Sequence, residues 1–160
     1  MRNASKKLKV VLDTKPLIKL FAKEESWEKV KEILSCIENG ELEAGICVVT
    51  LTEIYYKYLQ EERPDLAVAR TEQLKYALYL KKLGIDEETA IMAGEFKGRY
   101  NISIADAFIA ASARSEGATV ISDDPDFKKI PEIEVLTEIE LYQKLQAYEM
   151  LRKGSTHPYS

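Results

Sequence analysis

The stretch SIADAFIAASARSEGATVIS, residues 103–122, joins an apolar helix to an apolar strand and so decides the class of fold. Ser103 is a typical helix cap and Gly117 a typical stop, and the spacing predicts a helix between them. The β-branched residues after Gly117 predict a short strand. Because both segments are rich in small or apolar residues, the pattern indicates a buried sheet covered by helices.

The same alternation of strands and helices extends in both directions from this stretch. KLKVVLDT predicts a strand ending at Asp13, and Pro16 lies where a helix can begin. SWEKVKEILSCIENG predicts a helix with Ser26 as cap and Gly40 as stop. EAGICVVT and EIEVLT predict further strands, and helices are predicted over residues 50–63, 64–84, 86–100 and 138–153. This order predicts a parallel sheet with helices on both faces.

The chain has 160 residues, and we expect a single domain over residues 1–160, with a core of about residues 9–152 and a polar tail at 153–160. Hydrophobic residues make up 46% of it and charged residues 31%, which is typical of a globular protein. The net charge of -4 gives no general attraction to nucleic acid. Binding of nucleic acid therefore requires a local basic patch.

Cysteine and histidine usage exclude several classes of site. Cys36 and Cys47 have apolar neighbours, so we expect buried free thiols and a reducing, cytoplasmic setting. His157 is the only histidine and lies in the polar tail, which argues against histidine-based catalysis and histidine zinc sites. No apolar stretch is long enough for a signal sequence or a membrane span, so no membrane association is expected.

Three acidic residues follow three predicted strands that are far apart in the sequence. Asp13 comes directly after the first strand, Glu53 a few residues after the second, and Asp124 just after TVIS. In parallel α/β sheets, ligands bind at the carboxyl ends of the strands, so these acids are expected at one edge. Asp106 is a fourth candidate, because a charged residue in a buried helix requires a partner.

Each of these acids also has an ordinary structural explanation. The sequences TLTE, residues 50–53, and SIAD, residues 103–106, fit a capping box. The helix dipole also stabilises an acid in the first turn. Asp13 before a turn and Asp123 before Pro125 are common turn residues. These explanations leave the shared location of the acids unexplained.

Clustered carboxylates repel one another and become partly protonated unless a counter-charge is present. Mg²⁺ and Mn²⁺ supply such a charge and prefer oxygen ligands, with phosphate as a frequent further partner. The chemistry that matches this arrangement is metal-assisted hydrolysis of a phosphodiester.

Four segments occur in the order and rough spacing of the PIN-domain family: VVLDTKPLI, TLTEIYYKYL, ISIADAFIAASA and VISDDPDFKKI. The chain resembles most the small VapC-type toxins of that family, from Lys9 to about Leu136. The resemblance implies a three-layer α/β/α fold with a doubly wound parallel sheet of about five strands. It also implies a ribonuclease that depends on Mg²⁺ or Mn²⁺ and acts as the toxin of a toxin–antitoxin pair.

The resemblance assigns roles to individual residues. Asp13, Glu53, Asp106 and Asp124 match the family's acidic quartet, which binds metal and carries out catalysis, and Asp126 matches an accessory metal-binding acid. The hydroxyl residues Thr14, Ser103 and Ser122 match positions that orient the acids. Lys15 departs from the pattern, because relatives commonly have a small polar residue there; it is expected to contact phosphate, pair with Asp13 or face solvent.

The resemblance further implies a homodimer and a small antitoxin protein as a partner. RNA would approach along basic residues near the acidic edge, and the candidates for phosphate contacts are Lys15, Lys19, Lys97, Arg99, Lys128 and Lys129. Packing in the core or an interface is favoured over stacking on bases for the tyrosines of the central helices, which are Tyr55, Tyr56, Tyr58, Tyr76 and Tyr79. Tyr76, Tyr79 and Leu83 are predicted to share one helical face.

Competing functions remain open at this point. A non-catalytic PIN-like module that binds RNA or protein would explain Lys15 but not the four retained acids. An aspartyl-phosphate phosphotransferase of the haloacid dehalogenase type requires a second acid at position 15, which is lysine. A response-regulator receiver requires paired acids at the end of the first strand, where only Asp13 is present.

Overall fold

The computed structural model describes residues 7–154 and contains a five-stranded parallel sheet between two layers of helices. The strands are β1 (Lys9–Leu12), β2 (Glu43–Cys47), β3 (Leu80–Leu83), β4 (Thr119–Ile121) and β5 (Val135–Leu136). The helices are α1 (Thr14–Ala22), α2 (Trp27–Glu38), α3 (Val48–Gln60), α4 (Pro64–Lys75), α5 (Glu87–Tyr100), α6 (Ile104–Glu116) and α7 (Glu138–Gly154), and a 3₁₀ helix spans Pro125–Lys129.

The strand order is β3-β2-β1-β4-β5, and every neighbouring pair is parallel. The order runs outward from β1 in both directions, so the sheet is doubly wound and its direction of progression reverses between β1 and β4. Such a switch point opens a crevice at the carboxyl ends of the two strands. The predicted three-layer α/β/α class is confirmed.

The central strand β1 supplies side chains to both layers of the core. Val10 and Leu12 pack with residues of α1, α2, α3, α4 and α7 on one face of the sheet. Val11 packs on the other face with residues of α5 and α6, including Phe96 and Ile109. Successive strand residues point to opposite faces, so a strand covered on both sides must be apolar at every position.

The single helix predicted over residues 64–84 is wrong, because the chain leaves α4 at Lys75 and forms strand β3 at the edge of the sheet. In β3, Leu80 and Leu83 are buried, and Leu80 pairs with Ala44 of β2. Two apolar residues three positions apart match helical spacing as well, and the two intervening lysines suit an edge strand.

The common helical face predicted for Tyr76, Tyr79 and Leu83 is therefore also wrong. Tyr76 and Tyr79 lie in the connection after α4 and are both exposed, whereas Leu83 is a buried strand residue.

Several predicted helix ends differ from those observed. Helix α1 begins at Thr14, before Pro16, with Asp13 as its N-cap. Ser26 is the N-cap residue of α2 as predicted, but it has a φ of 72° and its side chain makes no cap bond. Ser103 and Gly117 cap the two ends of α6 as predicted.

Helix α7 continues through Gly154, beyond the predicted start of the polar tail at 153. His157 lies outside the described residues. Cys47 is buried and Cys36 only partly so, and both are free thiols. Within residues 7–154, no helix combines the length and the hydrophobicity that crossing a bilayer would demand.

Candidate metal centre

An open cleft of about 470 Å³ lies at the carboxyl edge of the sheet. All five acids predicted for the site line it, and they come from four separate segments of the chain. Asp13 follows β1, Glu53 lies in α3, Asp106 lies in α6, and Asp124 and Asp126 follow β4. The remaining lining residues are Thr14, Lys15, Ile18, Tyr56, Lys57, Gln60 and Ser103.

Asp13 is the most deeply buried of these acids, with only 3% of its surface exposed. One carboxylate oxygen accepts a 2.7 Å hydrogen bond from the backbone N–H of Thr14, and the other accepts a 2.6 Å bond from Ser122 Oγ. Burial nevertheless raises the pKa of Asp13 to about 7; the two hydrogen bonds oppose this, and the charges of Asp106 and Glu53 add to it.

Glu53 takes its position from its place in α3 and from Thr14. The capping box predicted for Thr50 and Glu53 is wrong, because α3 begins at Val48 and places Glu53 beyond its first turn. Thr14 Oγ1 instead donates a 2.7 Å hydrogen bond to Glu53 Oε1 and lies 3.1 Å from Thr50 Oγ1. Thr14 thus ties the segment after β1 to the acid of α3.

Asp106 stands in the first turn of α6, where Ser103 Oγ accepts a 3.1 Å hydrogen bond from its backbone N–H. Its side chain lies near those of Asp124 and Asp126, with one carboxylate oxygen of each residue within 4.8 Å of the others. Burial, followed by the charge of Asp124, raises the pKa of Asp106 to about 6.

The segment after β4 holds its acids through local hydrogen bonds. Ser122 Oγ accepts a 3.0 Å bond from the backbone N–H of Asp124 while donating to Asp13. Asp124 Oδ1 accepts a 3.0 Å bond from the backbone N–H of Asp126 and so caps the 3₁₀ helix. Asp126 also forms a 2.8 Å ion pair with Lys129. These bonds fix the backbone while leaving carboxylate oxygens free for a ligand.

The donors of the cleft are suited to a hard divalent cation. Five carboxylates and the hydroxyls of Thr14 and Ser103 line it, and neither cysteine does. Oxygen ligands of this kind bind Mg²⁺ or Mn²⁺. Burial is the main cause of the raised pKa values of Asp13 and Asp106, and the charges of neighbouring acids add to it, so a cation in the cleft would favour the ionised forms.

Lys15 is the one basic residue of the six phosphate candidates that lines the cleft. Its ammonium lies 3.9 Å from Asp123 and 4.0 Å from Asp124, and its side chain is 53% exposed. Among the predicted alternatives, a direct pair with Asp13 is therefore excluded. Solvent exposure agrees with the structure, and a phosphate contact stays a prediction.

Lys19 has a role that the sequence did not indicate. It forms 2.5 Å hydrogen bonds to both Asp123 and Glu138, and Glu138 is almost completely buried at the start of α7. Burial lowers the pKa of Lys19, but these two bonds outweigh it and raise the pKa. Two carboxylates thus engage Lys19, so it is not available for the predicted phosphate contact.

The other phosphate candidates lie outside the cleft lining. Lys97 donates to the backbone carbonyl of Ile102, and Arg99 pairs with Glu95. The phosphate contact proposed for Lys128 stays a prediction.

Residues of α3 form a wall of the cleft that sequence reasoning missed. Tyr56, Lys57 and Gln60 line it together with Glu53, at helical spacings of three, four and seven residues. Of the tyrosines predicted to pack in the core or an interface, Tyr58 is buried as expected, whereas Tyr56 is 46% exposed. The signal was the helical spacing from Glu53, which places these side chains on the same face of α3.

Comparison with known proteins agrees with the fold and identifies relatives of the chain. The model of the PIN domain family matches residues 10–133. The chain is 32% identical over 99 residues to Ribonuclease VapC4 of Mycobacterium tuberculosis, which covers 59% of this chain and 76% of the relative.

Solved structures are also similar. VapBC2 from Rickettsia felis, bound to a DNA fragment from its promoter, has a TM-score of 0.67 at 18% identity, covering 81% of this chain and 98% of the other. DNA-bound VapBC from Salmonella typhimurium has a TM-score of 0.64 at 25% identity, covering 82% and 98%. The family match spans most of the chain and includes all five acids of the cleft, and the chain therefore belongs to the PIN domain family.

Proposed function

We propose that this chain is an endoribonuclease that hydrolyses RNA phosphodiester bonds with Mg²⁺ or Mn²⁺. Asp13, Glu53, Asp106 and Asp124 form the catalytic and metal-binding set, with Asp126 as an accessory ligand. The observation that carries the proposal is the meeting of carboxylates from four chain segments in one open cleft. Such a cluster is unfavourable without a cation because the carboxylates repel one another, and with a cation it forms a metal-binding site.

Asp13, Glu53, Asp106 and Asp124 would hold a divalent cation, which would activate a water and neutralise negative charge that develops on the phosphate. The protein's contribution is a rigid frame of acids around that position. Ser122 and the backbone N–H of Thr14 fix both oxygens of Asp13, and the Thr14 hydroxyl fixes Glu53. Because these bonds exist before substrate arrives, little reorganisation is needed on binding. We propose that Lys15, which lines the cleft, contacts a phosphate oxygen of the substrate.

RNA is the proposed substrate because of the similarity to a protein named Ribonuclease VapC4. We also infer a role as the toxin of a toxin–antitoxin pair, since similar solved structures are VapBC complexes and a toxin–antitoxin complex from Klebsiella pneumoniae. The antitoxin would be a small protein encoded beside this chain. A homodimer is proposed on family resemblance alone.

The test of the activity is cleavage of mixed RNAs with Mg²⁺, Mn²⁺ or a chelator. The parent is expected to cleave only with metal, and Asp13→Asn and Asp106→Asn are expected to lose cleavage. Asp65→Asn is a matched control, because Asp65 is exposed in α4 outside the cleft and pairs with Arg63. Cleavage that survives chelation or both variants contradicts the proposal, and RNA binding without cleavage favours the non-catalytic module.

The toxin role has a separate test. Expression of the chain alone is expected to arrest bacterial growth, and co-expression of the adjacent small reading frame is expected to restore it. The Asp106→Asn variant serves as the control that should not arrest growth. Equal growth with the parent and with this variant would argue against a toxin.

A further inference from the structure

The wall that α3 contributes to the cleft differs chemically from the acidic floor. Glu53 stands at the floor, and Tyr56, Lys57 and Gln60 follow on the same helical face. With a rise of about 1.5 Å per residue, Tyr56 lies about 4.5 Å and Gln60 about 10.5 Å along the helix axis from Glu53. Along α3, the aromatic ring of Tyr56 therefore comes first after Glu53, and the amide of Gln60 lies farther away.

Tyr56 has few contacts that would explain its position. It is 46% exposed, and within the described part of the chain its hydroxyl makes no hydrogen bond and its ring no aromatic or cation contact. Gln60 is exposed and likewise lacks a hydrogen-bond partner among residues 7–154. Lys57, between them, is held by Glu61 at 2.7 Å. The free groups of the wall are thus a π-face and an amide.

We propose that the Tyr56 ring stacks on the base next to the scissile phosphate, and that the Gln60 amide hydrogen-bonds to the edge of a base. This inference rests on the proposed ribonuclease function. Aromatic rings bind unstacked bases in this way in proteins that recognise single strands. An amide carries both donors and an acceptor, which suits it to the edges of bases. Tyr56 is then a substrate-binding residue rather than a packing residue.

The proposal defines the form of the substrate at the cleavage point. A base can lie on Tyr56 only if it has left its own stack, so the cleaved nucleotide belongs to a single-stranded segment or loop. Stacking itself tolerates any base, because every base has a π-face. Preference among bases is assigned to Gln60.

The test compares cleavage kinetics of Tyr56→Ala, Tyr56→Phe and Tyr55→Ala. Tyr55 is the matched control, because it is adjacent in α3 and 41% exposed but does not line the cleft. Tyr56→Ala is expected to raise KM for a single-stranded RNA by about fivefold to 150-fold, the range that corresponds to loss of one stacked base. Tyr56→Phe is expected to recover most of this loss, and Tyr55→Ala to match the parent.

A second substrate isolates the stacking contact. It is the same RNA with an abasic nucleotide beside the cleaved bond, and on it the parent and Tyr56→Ala are expected to have equal KM values. A penalty for Tyr56→Ala that persists on the abasic RNA overturns the stacking role, as does an unchanged KM on the intact RNA. Gln60→Ala is expected to alter the preference among bases at the cleavage point.

Failure of the inference and failure of the ribonuclease proposal give different results. If the parent cleaves and Tyr56→Ala behaves like the parent, only the stacking role is wrong. If the parent cleaves no RNA, the nuclease proposal fails, and 2-aminopurine fluorescence in a bound RNA with Mg²⁺ tests Tyr56 alone. Quenching that disappears in Tyr56→Ala supports the stack, and equal quenching in both proteins overturns it.

Discussion

Replacing Asp13 by asparagine is expected to stabilise the cation-free protein at neutral and alkaline pH. The carboxylate is 3% exposed, and its pKa is raised from the ordinary value of 3.8 to about 7, chiefly by burial. Ionising it in the folded state therefore opposes folding. Asparagine has nearly the same shape, keeps an oxygen to accept from the Thr14 N–H, and carries no charge.

The magnitude follows from the difference between the folded and unfolded pKa values. Between pH 4 and pH 7 the folded protein binds more protons at Asp13 than the unfolded chain does, so stability falls as pH rises through this window. At about 1.4 kcal/mol per pH unit, the difference approaches about 4 kcal/mol at pH 8 and shrinks below about 1 kcal/mol at pH 4. The advantage of Asp13→Asn should follow the same curve.

Urea denaturation in the presence of a chelator, at pH values from 4 to 8, measures this difference directly. Asp123→Asn is a control for which the change in stability should have the opposite sign. Burial raises the pKa of Asp123, but Lys19 outweighs this effect and lowers that pKa. That variant should lose stability at neutral pH. If Asp13→Asn is less stable than the parent at pH 8, or if its effect is independent of pH, Asp13 is not an unfavourable buried charge.

Four further substitutions test separate parts of the structure. Lys19→Ala leaves the buried Glu138 without its cation and should reduce the free energy of unfolding by on the order of 3–5 kcal/mol in urea titrations; a loss below about 1 kcal/mol would contradict the ion pair's role. Lys15→Met removes a cation from the rim and should tighten Mn²⁺ binding by about two- to fivefold at low salt, and weaker binding in calorimetry would refute this. Gly45→Ala would place a methyl group 2.9 Å from a carbonyl oxygen of β3 and should cost about 1–3 kcal/mol. The same change at Gly94, where space is open, should instead raise the melting temperature, and equal effects at both sites would be inconsistent with the packing of the sheet.

The position of the acids at one edge of the sheet could be predicted from the sequence, because the ends of parallel strands lie at the same edge. Once β1 and β4 are recognised as parallel neighbours, the residues after them must share an edge, whatever the details of packing. Asp13 and Asp124 could therefore be placed together from sequence. Glu53 was expected at the same edge because it follows the second strand, whereas Asp106 was a candidate only because a charge in a buried helix requires a partner.

The parts that sequence did not predict depend on tertiary contacts. Strand β3 has the pattern LKKL, which suits a helix as well as an edge strand, and only pairing with β2 decides between them. Lys19 gave no local signal, since its partners lie 104 and 119 residues away. The exposure of Tyr56 depends on which face of α3 packs against the rest of the protein, and Ile54 and Tyr58 take the buried positions.

The central claim is that acids from four segments create one divalent-cation site, and Mn²⁺ binding followed by electron paramagnetic resonance tests it most directly. At pH 8 the parent is expected to bind Mn²⁺, and Asp13→Asn and Asp106→Asn are each expected to lose most of that binding while remaining folded. Asp65→Asn should bind like the parent. Mn²⁺ affinity that is the same in the parent and in both cleft variants would contradict the account.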